Sequence, residues 1–315
     1  MRRRDFLKGA AASPFLARAP KLRAQEPAPQ PPAYQIVTPH KPSGNMGMPG
    51  LYPGRAVEVH SPASIDPATD RVGRDALARM VERGMTSLTG EKTAEAAWRK
   101  FFSAGDVVGL KINASGAPGC VSSPELVNEI IAGLRLAGVR PSNIYLYERY
   151  SQQVDLVGYQ AWVPDGVQVV GAEFRSGDPS RYDSGVYVET NFFGEENRRS
   201  YMVRLVSQRF TKIVNIPNLK DHSASGVTGC LKNIAYGSFS NVARSHRNYQ
   251  THTRTFIGRL CTVEPLRSRT VLHVMDGLRG VWHGGPFAPN RRFLWHPQLL
   301  YFGTDPVAID RLELE

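Results

Sequence analysis

Apolar positions along the chain alternate between short continuous runs and stripes at helical spacing. Asp75 to Leu88 carries Ala76, Leu77, Met80, Val81 and Met85 near a 3.6-residue period and predicts a helix. A second helix is expected over Thr93 to Phe102, and Arg55-Ala56-Val57-Glu58-Val59 alternates like a strand. The clearest unit follows. Asp106-Val107-Val108-Gly109-Leu110-Lys111-Ile112-Asn113 reads as a buried strand, and a Gly/Pro-rich loop runs from Ala114 to Ser122. Ser123-Pro124-Glu125 then opens a helix, with a capping Ser, a Pro and an acid in the first turn. That helix ends near Gly138, and Asn143 to Glu148 is the next strand. Strand, helix and strand at this spacing make a βαβ unit, which requires a parallel sheet.

The pattern returns downstream. Lys212 to Pro217 predicts a strand, Asn218 to Thr228 a loop, and Gly229 to Tyr236 a helix. A further helix is expected over Gln250 to Cys261. Thr270 to Met275 reads as a strand ending at Asp276-Gly277, and Leu299 to Phe302 as a last short strand. Asp305-Pro306 opens a helix that reaches Glu315 after barely two turns, so C-terminal residues that pack on it are expected to be missing. The fold class expected is α/β, with a mainly parallel sheet flanked by helices, in one domain over residues 55–315. Residues 25–54 hold eight Pro and four Gly and read as a linker extended over the surface.

Charge changes the picture at one end only. Residues 1–24 hold seven Lys/Arg against Asp5, so the formal +11 falls to +5 for the remainder, with 32 basic and 27 acidic residues. That balance excludes strong nucleic-acid binding as an expectation. The opening Arg3-Arg4-Asp5-Phe6-Leu7-Lys8 resembles a twin-arginine export signal. A short, weakly apolar stretch and small-x-small sites at Ala17-Arg18-Ala19 and Leu22-Arg23-Ala24 follow it. Residues 1–24 are therefore expected to be a signal peptide, the export machinery a partner, and the periplasm the destination. No segment reaches the ~20 apolar residues of a membrane span. Cys120, Cys230 and Cys261 are odd in number and widely spaced, and no Cys-x-x-Cys occurs.

Ligands of open α/β sheets bind at the carboxyl ends of strands, and polar residues concentrate there. Lys111 and Asn113 end one strand; Lys111 either neutralises a buried carboxylate or binds an anion. The segment Asn218 to Asn233 packs Lys220, Asp221, His222, Ser223, Ser225, Thr228, Lys232 and Asn233 between a strand and a helix. Free amides at that helix start, with Lys220 and Lys232, suit a phosphate or carboxylate. The plainer alternative has Ser and Thr capping the helix and Lys220 paired with Asp221. Arg244 and His246 are placed to reach the same cleft. Asp276 and His283 flank a Gly-rich stretch, and helix capping alone accounts for Asp305. Asp221, His222, His246, Asp276, His283 and Asp305 are the candidates for a divalent metal, if they converge. His40, His60, His273 and His296 read as structural or exposed.

Val108-Gly109-Leu110-Lys111-Ile112-Asn113, Asn215-Ile216-Pro217-Asn218-Leu219-Lys220-Asp221-His222, Leu231-Lys232-Asn233, Asp276-Gly277-Leu278 and Thr304-Asp305-Pro306-Val307-Ala308 together resemble domain of unknown function 362. The resemblance runs from about Val107 to the end. It implies a link to ferredoxin-like iron–sulfur modules, which here a separate partner would have to supply, since this chain lacks the cysteine clusters. The cofactor is left open. The expectation is an exported enzyme acting on a small anionic substrate. Lys111, Lys220 and Lys232 hold the anion with Asn113, Thr228 and Asn233, and His222, oriented by Asp221 or a neighbour, transfers a proton. The alternative is a non-catalytic anion- or cofactor-binding protein using the same donors.

Overall fold

The computed structural model describes residues 32–173, 181–247, 250–288 and 290–315. The expected signal peptide, and the linker as far as residue 31, lie outside these. In chain order the strands are β1 (Gln35–Val37), β2 (Ala56–His60), β3 (Val108–Lys111), β4 (Ile144–Tyr150), β5 (Gln168–Glu173), β6 (Tyr182–Glu189), β7 (Arg199–Val203) and β8 (Lys212–Asn215). They continue with β9 (Asn218–His222), β10 (Gly226–Val227), β11 (His246–Arg247), β12 (Gln250–Thr251), β13 (Thr270–Val281), β14 (Leu294–Trp295) and β15 (Leu299–Gly303). The helices are α1 (Arg74–Thr89), α2 (Ala94–Arg99), α3 (Pro124–Leu136), α4 (Ser151–Val157), α5 (Gly229–Ser238), α6 (Thr253–Cys261), α7 (Leu266–Arg269) and α8 (Pro306–Glu313).

Strands β5, β4, β3, β8 and β13 lie side by side and parallel, and β9 joins the far half of β13 in the same sense. β15, β14, β2 and β10 add antiparallel pairings at that end of the sheet. The expected α/β class and the mainly parallel sheet are observed. Alternation along the strands sends neighbours to opposite faces. Leu146 and Val214 join the core under α1, α2 and α3. Tyr147 and Ile213 join a second core, with α5, α6 and the small antiparallel sheet β1–β6–β7. Helix α1 rides close on β15: a Cβ at Gly84 would overlap the Phe302 ring. Among the described residues, no helix is long and apolar enough to cross a membrane.

Four expectations differ from what is seen. The folded unit begins at Ala33 rather than Arg55. β1 pairs with β6, and buried Met48 donates its N–H to the Arg267 carbonyl at 3.0 Å. A Pro/Gly-rich stretch makes no helix of its own, but an extended piece of it adds to an edge already present. The expected loop 218–228 is largely the hairpin of β9 and β10, because β13 runs on past Asp276 and supplies a ladder. Asp276 therefore sits fully buried within a strand, accepting from the Ser123 and Leu278 N–H groups. Ser123 makes no side-chain cap on α3, and its own N–H is the one that donates to Asp276 Oδ2. Finally, α6 starts at Thr253, because Gln250–Thr251 pair with His246–Arg247.

Candidate functional site

The strand-end rule places the site. Lys111 closes β3, Glu148 to Tyr150 close β4, His222 closes β9, and α5 begins just beyond. Between them lies a cavity of about 440 Å³. Helix periodicity aims three residues of α5 and its cap at it. Thr228, Lys232 and Tyr236 are spaced by four, share one face, and all line the cavity.

The floor is a closed polar network. Lys111, 1% exposed, donates to Glu148 Oε1 at 2.9 Å, to Asn233 Oδ1 at 3.3 Å and to the Ile112 carbonyl. Glu148 also accepts from the Arg149 and Ala114 N–H groups. Asn233 donates to Asn215 Oδ1, whose own amide reaches the Cys230 carbonyl and His273. Burial pulls the Lys111 pKa below the ordinary lysine value, and Glu148 pulls it back up. Of the two readings open for Lys111, the buried ion pair is observed. Arg149 is likewise matched, by Glu173 at 3.0 Å.

Lys220 is also occupied. It lies buried beneath the cavity, donating to Asn113 Oδ1 at 2.7 Å and to the Cys120 carbonyl at 2.9 Å. It does not pair with Asp221. Adjacent residues of a strand point to opposite faces, and Asp221 accepts from the Gly285 N–H instead. For the same reason Asp221 does not orient His222. The Ala224 N–H does, donating to His222 Nδ1 at 3.1 Å. That bond fixes Nδ1 as acceptor, so in the neutral ring Nε2 carries the hydrogen.

Lys232 differs from the other cations of the site. Among the described residues its Nζ has no hydrogen-bond or ion-pair partner, and it lies 5.0 Å over the Tyr236 ring. Burial first, then Lys220 and other nearby cations, brings its pKa down to about 7. His222 and His246 face the same space with ring centroids 5.5 Å apart. Burial, then Lys232 and His246, pushes His222 down to about 3; burial and Lys232 lower His246 also. Both imidazoles are therefore neutral at pH 7. The Thr228 hydroxyl is buried, lines the cavity and has no hydrogen-bond partner among the described residues.

Lys111, Asn113, His222, Thr228, Lys232, Asn233 and His246 are brought together. Arg244 is not: its guanidinium binds Glu195 and the Thr190 carbonyl and stacks on Phe192, away from the cavity. Two amides at the helix start are already taken, because Asp310 of α8 accepts from the Cys230 N–H and from the Leu231 N–H at 3.0 Å. The metal candidates scatter. Asp276 is in the core, Asp305 caps α8 through the Val307 N–H, and His283 packs on Phe293. Among the described residues no three His, Cys, Asp or Glu converge on a metal-sized space.

A family model described as Domain of unknown function (DUF362) matches residues 108–315. The chain belongs to this family. The match spans every cavity residue named above and leaves α1 and α2 outside it. No curated protein matches. A structural-genomics crystal structure of a Thermotoga maritima protein is similar at 11% identity and a TM-score of 0.38, over 69% of this chain and 51% of that one. The chain thus spans about half the length of that protein.

Sequence reading missed Glu148, Arg149 and Tyr236. Glu148 and Arg149 had a signal, since they lie at the carboxyl end of a strand adjacent to that of Lys111. Tyr236 had one in the four-residue spacing from Lys232.

Proposed function

We propose that the protein binds a small monoanion in this cavity and acts on it by moving a proton. Lys232 carries the reading. With Lys111 and Arg149 each matched by a carboxylate, it is the one uncompensated cation among the described lining residues. The unpartnered Thr228 hydroxyl and the His222 Nε2–H add neutral donors around it. A single uncompensated lining cation matches one carboxylate better than a multiply charged phosphate. His222 and His246, neutral and adjacent, are the groups that accept or return a proton.

One observation favours the second reading, a non-catalytic anion-binding protein. A ring pushed down to about 3 is a weak base at neutral pH. A bound anion offsets the Lys232 charge, so histidine NMR titration with and without propionate separates the two. A His222 pKa that climbs toward neutrality supports proton transfer.

The test of the site is propionate affinity by calorimetry. Lys232→Met lowers it by roughly tenfold or more, the scale of a charge-assisted hydrogen bond. In the wild type, affinity falls as pH rises above about 7, where free Lys232 loses its proton. An unchanged affinity in the variant, or a flat profile, defeats the reading.

We also propose export to the periplasm through the twin-arginine machinery, on the support of Arg3-Arg4-Asp5-Phe6-Leu7-Lys8. Fractionation checks it: the doubly substituted Arg3→Lys, Arg4→Lys chain stays in the cytoplasm. Wild-type protein found there in equal measure refutes the proposal.

A further inference from the structure

Among the described residues the Lys232 amine has no hydrogen-bond or ion-pair partner. Lys111 is tied to Glu148 and Lys220 to Asn113, each with a main-chain carbonyl as well. Lys232 lines the 440 Å³ cavity, its Nζ 5.0 Å over the Tyr236 ring. Its surroundings suit a nucleophile more than a permanent cation. A lysine desolvated and set near other cations keeps a free lone pair at neutral pH. With a pKa of about 7, close to half of the amine is in that form. Proton carriers are at hand, since His222 and His246 line the same space and His246 lies 5.7 Å from Tyr236, ring centroid to ring centroid.

We propose that Lys232 forms an imine with a carbonyl group of the bound anion, which makes the ligand class a small oxo-carboxylate. The inference rests on the reading of the cavity as an anion site. The lone pair of Nζ adds to the carbonyl carbon. A C–N bond forms as the C=O π pair moves to oxygen, which takes a proton while nitrogen loses one. The carbinolamine hydroxyl then takes a second proton and leaves as water, and the nitrogen lone pair closes the C=N bond. The sum is an amine, a carbonyl compound and one proton going to a protonated imine and one water, with no oxidant or reductant. The protonated imine carries its positive charge at Nζ beside the ligand's carboxylate, so one atom serves both as the point of attachment and as the counter-ion. Counted from the free amine, the cavity takes up one proton from solvent, and that charge offsets the ligand's carboxylate.

Reductive trapping tests it. The full chain is incubated near neutral pH with pyruvate and sodium cyanoborohydride, which delivers hydride to the C=N carbon, and the modified lysine is located by peptide mass spectrometry. The expected result is a reduced adduct on Lys232, suppressed by excess propionate, which carries the charge but no carbonyl. Lys232→Arg, unable to form the imine, gives no adduct in the cavity. Propionate binding without a pyruvate adduct overturns the imine and leaves the anion site standing. Absence of both overturns the two together. Adducts spread over exposed lysines and indifferent to propionate also overturn the proposal.

Discussion

Glu148→Ala destabilises the protein by about 3–5 kcal/mol at neutral pH, the cost of leaving one partner of a buried ion pair uncompensated. Lys111 is 1% exposed and Glu148 6%, so water cannot replace the lost carboxylate. What remains for the ammonium is Asn233 Oδ1 at 3.3 Å and the Ile112 carbonyl. The Arg149 and Ala114 N–H groups lose their acceptor at the same stroke. The double variant Lys111→Met, Glu148→Leu recovers most of the loss, because an apolar pair of similar volume carries no desolvation penalty. The pH dependence has a definite sign. Burial lowers the Lys111 pKa in the fold, and removing Glu148 lowers it further. Between that lowered value and the ordinary lysine value the unfolded chain holds the proton and the folded one does not. The stability of Glu148→Ala therefore rises with pH across that window. Urea denaturation over a pH series measures both effects. A loss under about 1 kcal/mol, with no pH slope, means that the floor of the cavity is not an ion pair.

That floor also marks how far the sequence could be read. The βαβ unit was legible because each of its elements obeys a local period, and the strand-end rule then led to Lys111, Asn113, His222 and Lys232. Whether Lys111 met a carboxylate or a ligand was not legible, since its partner is 37 residues away on the neighbouring strand. β9 hid for a related reason. Asn218-Leu219-Lys220-Asp221-His222 is mostly polar and looks like a loop, and it becomes a strand only because β13 continues beside it. β6 pairs with β7 on one side and with β1 on the other, contacts no local pattern announces. The Asp310 carboxylate closes the start of α5 from some eighty residues downstream, and so turns an expected anion site into a structural cap. Burial and opposite-face geometry withdrew Lys220, Asp221 and Asp276 from the list. Lys232 stands apart from them, because among the described residues its amine has no hydrogen-bond or ion-pair partner.

Gly237→Ala costs about 3 kcal/mol, against the usual direction for a helix. In an exposed helical position the same change is worth up to about 1 kcal/mol of stabilisation, since alanine restricts the unfolded chain and glycine does not. At Gly237 the added Cβ would overlap Lys111 Cε, with Lys111 Nζ and Cδ close behind it. The far end of a lysine ordinarily swings aside, but this one is buried and anchored to Glu148. Moving it adds a weakened buried ion pair to an overpacking penalty of about 1–3 kcal/mol. Gly258→Ala in α6 is the matched control, because a Cβ there meets nothing within 4 Å and the position is exposed. It is expected to be neutral or to gain by about 0.5–1 kcal/mol. Chemical denaturation of the two variants gives opposite signs if α5 presses Lys111 into place. If both gain, the lysine moves freely, and the rigid Lys111–Glu148 pair that leaves Lys232 as the uncompensated lining cation is lost with it.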